Sequence, residues 1–355
     1  MTLPSGPHRR YNPLLDEWVL VSPQRLDRPW QGRTEPLPPV ERPAYDAGCY
    51  LCPGNARANG ERNPAYTGTF VFDNDFPALS GGGVLGTETP VHLRVSVTDE
   101  ILRAVPEHGA CRVVSFSPRH DLSFAEMTPA GATEVINTWA HETQRFLALR
   151  TIAHVQIFEN KGEMMGCSNP HPHSQIWATQ HVPTIPTRKL VALSHYHGRH
   201  DRDLLGDYIE RELHAEDRVI FATGSWIGVV PFWPAWPFEL LLIPTRHVLD
   251  LTSLDAVERA ELADALQTVA SRYNRLFECD FPYSMGIAQA PSDGMQHPEW
   301  RLHISFLPPL LRSATVRKHF VGYELVAEAQ RDLTPEAVAE RLRALSSTDY
   351  RGSKW

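Results

Sequence analysis

The sequence lacks any excess of basic charge: its formal net charge is −8. A surface built to neutralise a phosphate backbone needs the opposite sign, which argues against a nucleic-acid partner. A local basic pocket for a small anion is still compatible with that balance. The chain also lacks an unbroken apolar run of membrane-spanning length. The longest, WIGVVPFWPAWPFELLLIP (residues 226–244), is interrupted by Pro231, Pro234 and Pro237 and carries Glu239. It reads as buried strand or subunit contact, and no membrane partner is expected. The start, MTLPSGPHRRYNP, has no apolar h-region, so no signal peptide is expected. Cysteines are few and odd in number, at Cys49, Cys52, Cys111, Cys167 and Cys279. That count suits reduced thiols and a cytoplasmic location better than a disulfide framework.

At 355 residues, with 42% hydrophobic and 21% charged residues, the chain can bury a large core. Residues 20–45 are rich in proline, arginine and charge and read as an extended arm. Strand-like runs follow (GTFVFDNDF, VHLRVSV, CRVVSFSP), then a helical stretch from about Pro129 to Arg150, the strand AHVQIFEN and the segment GCSNPHPHSQIW. The second half repeats this plan: FELLLIPTRHVLDLTSL, a long helix, another strand, a glycine-containing loop and RLHISFLP. Ser117-Pro118-Arg119-His120 resembles Pro244-Thr245-Arg246-His247, and the interval from His120 to His171 is close to that from His247 to His303. Two copies make a duplicated α+β domain, not a solenoid. Residues 187–213 read as helical, with Leu204, Leu205, Tyr208 and Ile209 as an apolar stripe, and a last helix follows the cap Thr334-Pro335-Glu336. The expected halves are 1–181 and 187–346, with a tail at 347–355.

The richest chemistry lies in Gly166–Trp177. Asn169 and His171 both precede prolines, which pushes them into extended backbone. In an extended chain His171, His173 and Gln175 share one face. A neutral imidazole is a competent nucleophile towards phosphorus and can carry a group between two substrates. The spacing fits equally two histidines that bind a metal or hydrogen-bond in a core. Gln175 can donate an amide N–H to an oxygen where charge develops, but cannot transfer a proton. Ser168 and Asn160 could hold phosphate oxygens or merely serve turn chemistry. Cys49-Tyr50-Leu51-Cys52 has metal-clamp spacing, and the Pro53-Gly54 that follows does not suit a redox helix. A tetrahedral ion there needs two more ligands, for which His120 and His171 are candidates.

Three further patterns carry less. Ser80–Gly86 satisfies G-x-G-x-x-G formally but leads into a strand-like run, so it is not a dinucleotide loop. His195, His197 and His200 do not share one helical face and read as a solvated segment. Arg25 and Arg28 flank Asp27 and read by default as surface charge.

GCSNPHPHSQIW, preceded by FENKG, resembles the active-site signature of the galactose-1-phosphate uridylyltransferase family, of the histidine-triad superfamily. The resemblance runs nearly end to end, through PHRRYNPL, WVLVSPQRLDRPWQG, CYLCPGN, GTFVFDNDF, FSPRH, PFWPAWPFELLLIP, FPYSMG, RSATVRKHFVGYE and QRDLTPEAVAERLRA. It implies a duplicated histidine-triad-like fold with a large, mainly antiparallel half-barrel sheet and packed helices. It also implies uridylyl transfer from UDP-glucose to galactose 1-phosphate, giving UDP-galactose and glucose 1-phosphate, by double displacement. On that likeness His173 is the nucleophile, and Gln175 steadies the uridylylated intermediate where histidine-triad hydrolases carry a third histidine. Cys49, Cys52, His120 and His171 then hold one structural zinc per subunit, whose filled shell leaves no position for a water. Asn74, Asp75 and Phe76 match the uridine segment, and Asn160, Gly166, Cys167 and Ser168 match phosphate contacts. Lys318, Val321, Tyr323 and Glu324 match the hexose-phosphate end. Arg25 and Arg28 match arginines that reach the nucleotide across a homodimer.

Two departures qualify the likeness. Where some relatives hold a second metal through a glutamate and three histidines, this chain has Lys189, Ala288, His303 and Ser305, so no second metal is expected. His319 stands where better-known sequences have phenylalanine beside the substrate, which bears on sugar preference. The competing readings are a nucleotidyltransferase or nucleotide phosphorylase of the same superfamily with another nucleotide or acceptor, and a non-catalytic nucleotide-sugar binding protein.

Overall fold

The computed structural model describes residues 4–25, 42–79, 101–102, 104–313, 316–318 and 320–348. The Ser80–Gly86 loop, most of the arginine-rich arm, Arg28 and His319 lie outside these residues, as does the side chain of Lys318. A hairpin of β1 (His8–Asn12) and β2 (Glu17–Val21) opens the fold. The first copy of the repeat comprises β3 (Phe70–Asp73), β4 (Gly109–Ser115), α1 (Pro129–Leu147), β5 (His154–Lys161) and β6 (His173–Thr179). Two helices, α2 (Thr184–His200) and α3 (Leu204–Ala215), follow it. The second copy adds β7 (Val219–Ala222), β8 (Trp226–Val229), β9 (Leu240–Pro244), α4 (Ala256–Phe277), β10 (Tyr283–Ala288) and β11 (His303–Leu307). The chain then forms a ribbon of β12 (Leu310–Ser313) and β13 (Val316–Lys318). It closes with α5 (Tyr323–Val326), β14 (Gln330–Arg331) and α6 (Pro335–Arg343).

The two copies join in one nine-stranded sheet of order β3-β4-β6-β5-β10-β11-β9-β8-β7, antiparallel throughout. Apart from β7, which has no counterpart among the described strands, the order mirrors itself about the β5–β10 seam, as a duplicated fold requires. Strands β8 and β9 are buried along their whole length, so they read as a continuous apolar run instead of an alternation. Among the described residues no helix is long and apolar enough to cross a membrane.

One face of the sheet carries α1 and α4 over a core that includes Trp139, Trp226, Tyr273, Ile157, Ile176 and Ile287. On the opposite face, α2 and α3 cover only the second copy, packing Leu193, Leu205, Tyr208 and Ile209 against Ile227, Val229, Leu241 and Ile243. The corresponding face of the first copy therefore keeps room for polar side chains. The helical stretch expected over 187–213 is split: Asp201 takes a left-handed conformation (φ 53°) that ends α2, and Asp203 caps α3 by accepting from the Gly206 N–H at 2.6 Å.

Helix α4 starts with a capping box, in which Asp255 accepts from the Glu258 N–H and Glu258 accepts from the Asp255 N–H, both at 2.8 Å. Asp255→Ala is expected to cost about 1 kcal/mol in a denaturant melt. A loss below a few tenths would show that packing alone sets this helix start.

Candidate active site and metal centre

The open face of the first copy collects the residues of the histidine segment. His173 opens β6 opposite Ser115 of β4, and Gln175 pairs with Val113 on one side and Phe158 of β5 on the other. Strand alternation sends Ser174 the other way, where its hydroxyl accepts from the indole of buried Trp139 at 2.8 Å. That bond fixes β6 between the helical layer and the site.

His173 is oriented by the backbone two residues before it: Nδ1 donates to the His171 carbonyl at 2.8 Å. The proton on Nδ1 leaves Nε2 with its lone pair. Burial holds the ring below the usual imidazole range, so it is neutral near pH 7. Gln175 is clamped by its oxygen, which accepts from the Trp177 indole at 3.0 Å and from Asn74 at 3.4 Å. Its NH₂ group is thereby left to donate, as a site for a charged phosphoryl oxygen requires.

Beside this column, Cys49, Cys52, His120 and His171 come together, all buried, with one ligand atom of each within 4.8 Å of the others. Cys52 Sγ lies 3.5 Å from His171 Nδ1 and 3.7 Å from His120 Nδ1. The two cysteines sit on a turn closed by the Cys52 N–H on the Cys49 carbonyl, and left-handed Gly54 (φ 76°) lets the chain leave it. Asn63 donates to the carbonyls of Tyr50 and Cys52, holding the loop from outside.

The donor set fits a tetrahedral metal: two sulfurs, two imidazole nitrogens and outer partners for the ligands. His171 Nε2 donates to the Ser117 carbonyl at 2.8 Å, which turns Nδ1 towards the cluster. Ser115 Oγ, 2.9 Å away, touches the same nitrogen. Cys49 Sγ accepts from the Leu51 N–H at 3.3 Å and from the Asn169 amide at 3.5 Å. Burial lowers His171 to about 4 and also depresses His120, keeping both imidazoles neutral as ligands must be. Burial pushes the Cys52 thiol up to about 11, so a metal would have to displace its proton.

Other residues singled out in the sequence fall into distinct places. Asn74 and Phe76 form a turn after β3, with the Phe76 N–H on Asn74 Oδ1 at 2.9 Å and the Phe76 ring largely exposed. Asp75 accepts from the Ala58 N–H at 3.1 Å, which ties the turn to the loop after Gly54. Asn160 stands on β5 and accepts from Ser284 at 2.7 Å. Gly166, left-handed at φ 77°, ends the short turn Glu163–Met165; Cys167 donates to the Asn169 carbonyl and Ser168 is exposed. Val321 and Tyr323 are exposed, and Glu324 is paired with Arg331. Tyr323 donates to Glu328, which also holds Arg9 of β1, while Arg25 pairs with Asp332 at 3.3 Å. This last group is gathered around the β2–β14 edge.

Sequence reasoning missed Ser117, Trp177 and Asn169 as supports. Trp177 was legible, since it lies two residues beyond Gln175 on one strand face. The pairing of the two copies is also refined: His303 opens β11 as His173 opens β6, and its Nδ1 donates to the Arg301 carbonyl at 2.9 Å. The counterpart of His303 is thus His173, not His171.

Comparison with known proteins bears on the family and the fold. Sequence models described as the N-terminal and C-terminal domains of galactose-1-phosphate uridyl transferase match residues 3–183 and 189–354. The chain is 47% identical to a galactose-1-phosphate uridylyltransferase of Haemophilus influenzae, covering 97% of this chain and 96% of that one. It is likewise 47% identical to the Rattus norvegicus protein of that name, covering 97% and 89%. A solved structure of a uridylyltransferase superposes with a TM-score of 0.72 at 28% identity, covering 95% of this chain and 97% of that one. The chain belongs to the galactose-1-phosphate uridylyltransferase family.

Proposed function

We propose that this enzyme, a nucleotidyltransferase, moves the uridylyl group of UDP-glucose to galactose 1-phosphate through a uridylyl-histidine at His173. The observation that carries the reading is the His173 Nδ1 bond to the His171 carbonyl, which presents an unprotonated Nε2. Nε2 forms a bond to the α-phosphorus of UDP-glucose, the P–O bond to glucose 1-phosphate breaks, and that product leaves. A phosphate oxygen of galactose 1-phosphate then attacks the same phosphorus, releasing His173 and giving UDP-galactose. The His171 carbonyl stabilises the positive imidazole ring while it carries the group, and the Gln175 NH₂ donates to the phosphoryl oxygen. Asn160 and the Gly166–Ser168 turn take phosphate oxygens, Asn74, Asp75 and Phe76 take the uridine, and Lys318, His319, Val321, Tyr323 and Glu324 serve the hexose phosphate. Offering UDP-, GDP- and ADP-glucose with galactose 1-phosphate tests the donor. Turnover confined to a donor without uridine would assign the chain to the related nucleotidyltransferases or phosphorylases.

The metal at Cys49, Cys52, His120 and His171 is zinc in this reading, and its role is to hold the loop that carries His171. No second metal binds. What supports this is the neighbourhood of His303, whose Nε2 lies 2.7 Å from Lys189 Nζ, so an ammonium group fills the place a cation would take. Metal analysis is expected to find one zinc per chain, and two bound ions per chain would overturn it.

The two halves, 1–181 and 187–346, are supported by the mirrored strand order. A homodimer in which Arg25 and Arg28 reach the neighbouring site is supported by exposed apolar side chains at Val321, Leu325 and Val326. Five cysteines, none in a disulfide, support a reduced, cytoplasmic setting.

A further inference from the structure

Strand β5 lies between β6, which carries His173, and β10, which comes from the second half of the chain. The β5–β6 register pairs Phe158 with Gln175. Continued by two residues, it sets Asn160 level with His173 on the same open face. On its other side Asn160 pairs with Ser284 of β10. The paired register itself ends at Phe158 and Gln175, so Asn160 faces His173 by extension of the ladder and Ser284 by direct pairing.

A carboxamide presents an acceptor on one side and two donors on the other, and packing alone barely tells them apart. Here the Ser284 hydroxyl donates to Asn160 Oδ1 at 2.7 Å. In this arrangement the oxygen lies towards β10 and the Nδ2 protons are left for the side of β6; the hydroxyl, which can donate or accept, holds the carboxamide in place by donating. The reverse orientation would aim a lone pair at an anionic phosphate beside His173 and withdraw the donor. Tyr283 and Met285, the neighbours of Ser284 in sequence, are buried on the opposite face, so the hydroxyl stands alone on the site side.

We propose that Ser284 is a positioning residue for the transfer reaction: it fixes the amide of Asn160 so that its N–H donors meet the α-phosphate as His173 attacks. The second half of the duplicated fold thereby contributes to a site whose nucleophile belongs to the first. This inference rests on the reading of His173 as the nucleophile and of Asn160 as a phosphate contact.

The test is the rate of uridylylation in a single turnover with UDP-glucose and no acceptor, followed by intact mass. Ser284→Ala is expected to slow it about ten- to a hundredfold, with zinc content and melting temperature unchanged. Ser284→Thr, which keeps the hydroxyl, is expected to stay within about threefold of wild type. In an Asn160→Ala background, Ser284→Ala is expected to add nothing, because the group it orients is gone. Wild-type rates in Ser284→Ala, a threonine variant as slow as the alanine one, or losses that multiply with Asn160→Ala would each overturn the assignment. Wild-type protein that forms no adduct would reject the transfer reading itself, and the inference with it.

Discussion

His173→Ala protein incubated with UDP-glucose and no acceptor is expected to keep its unmodified mass. Wild-type protein is expected to gain one uridylyl group and to lose it when galactose 1-phosphate is added. The variant should also lose turnover by more than about four orders of magnitude, as removal of a covalent nucleophile does. The argument is geometric. The other polar groups of the column, Gln175 and Asn160, are amides that cannot form the intermediate, and His171 has its Nε2 bound to the Ser117 carbonyl. His173 is no member of the Cys/His cluster, so the substitution removes no metal ligand, and a thermal melt of the variant separates a folding defect from loss of the nucleophile. An adduct on the alanine variant would place the nucleophile elsewhere.

The second large effect is expected at the metal centre. Cys52→Ser replaces a soft sulfur with a poorer zinc ligand at a fully buried position. Metal affinity is expected to fall by at least about a hundredfold, and stability by roughly 3–5 kcal/mol, since binding energy at such a site is folding energy. Metal analysis of the purified variant and a thermal melt with and without added zinc read both quantities. Chelation of the wild-type protein is expected to lower its melting temperature, with activity declining in step with folding. Rapid loss of turnover in protein that stays fully folded would contradict a structural role for the ion.

Much of this was legible residue by residue. The prolines keep the segment out of a helix, and the two-residue period holds for His173 and Gln175 on β6, whereas His171 stands at a bend just before the strand. The Cys49–Cys52 spacing and the Thr334 cap are local signals that the fold keeps. What could not be read is whatever depends on which strand lies beside which. Ser284 is more than a hundred residues from Asn160, and nothing near either one announces the pairing. Lys189 and His303 meet only because α2 lies over β11. The break at Asp201 was missed because an apolar stripe continues across it, while the left-handed turn rests on one residue. Glu324 and Tyr323 pair with Arg331 and Glu328 across the short turn from α5 to β14, while the neighbouring ion pairs Arg9–Glu328 and Arg25–Asp332 come from the start of the chain and could not be read locally.

The seam between the halves has a mechanical consequence. Strands β5 and β10 share five paired positions, from Tyr283 with Lys161 to Ile287 with Ile157. A two-lobed enzyme commonly clamps its substrate by swinging one lobe against the other, but a ladder of main-chain bonds across the junction resists that movement. Substrates bound over the first copy therefore lie on a sheet that does not fold about the junction. On the proposed mechanism the uridylyl group waits on the His173 ring, which opens a strand held within the same sheet, so the second substrate is expected to meet the geometry that the first one left.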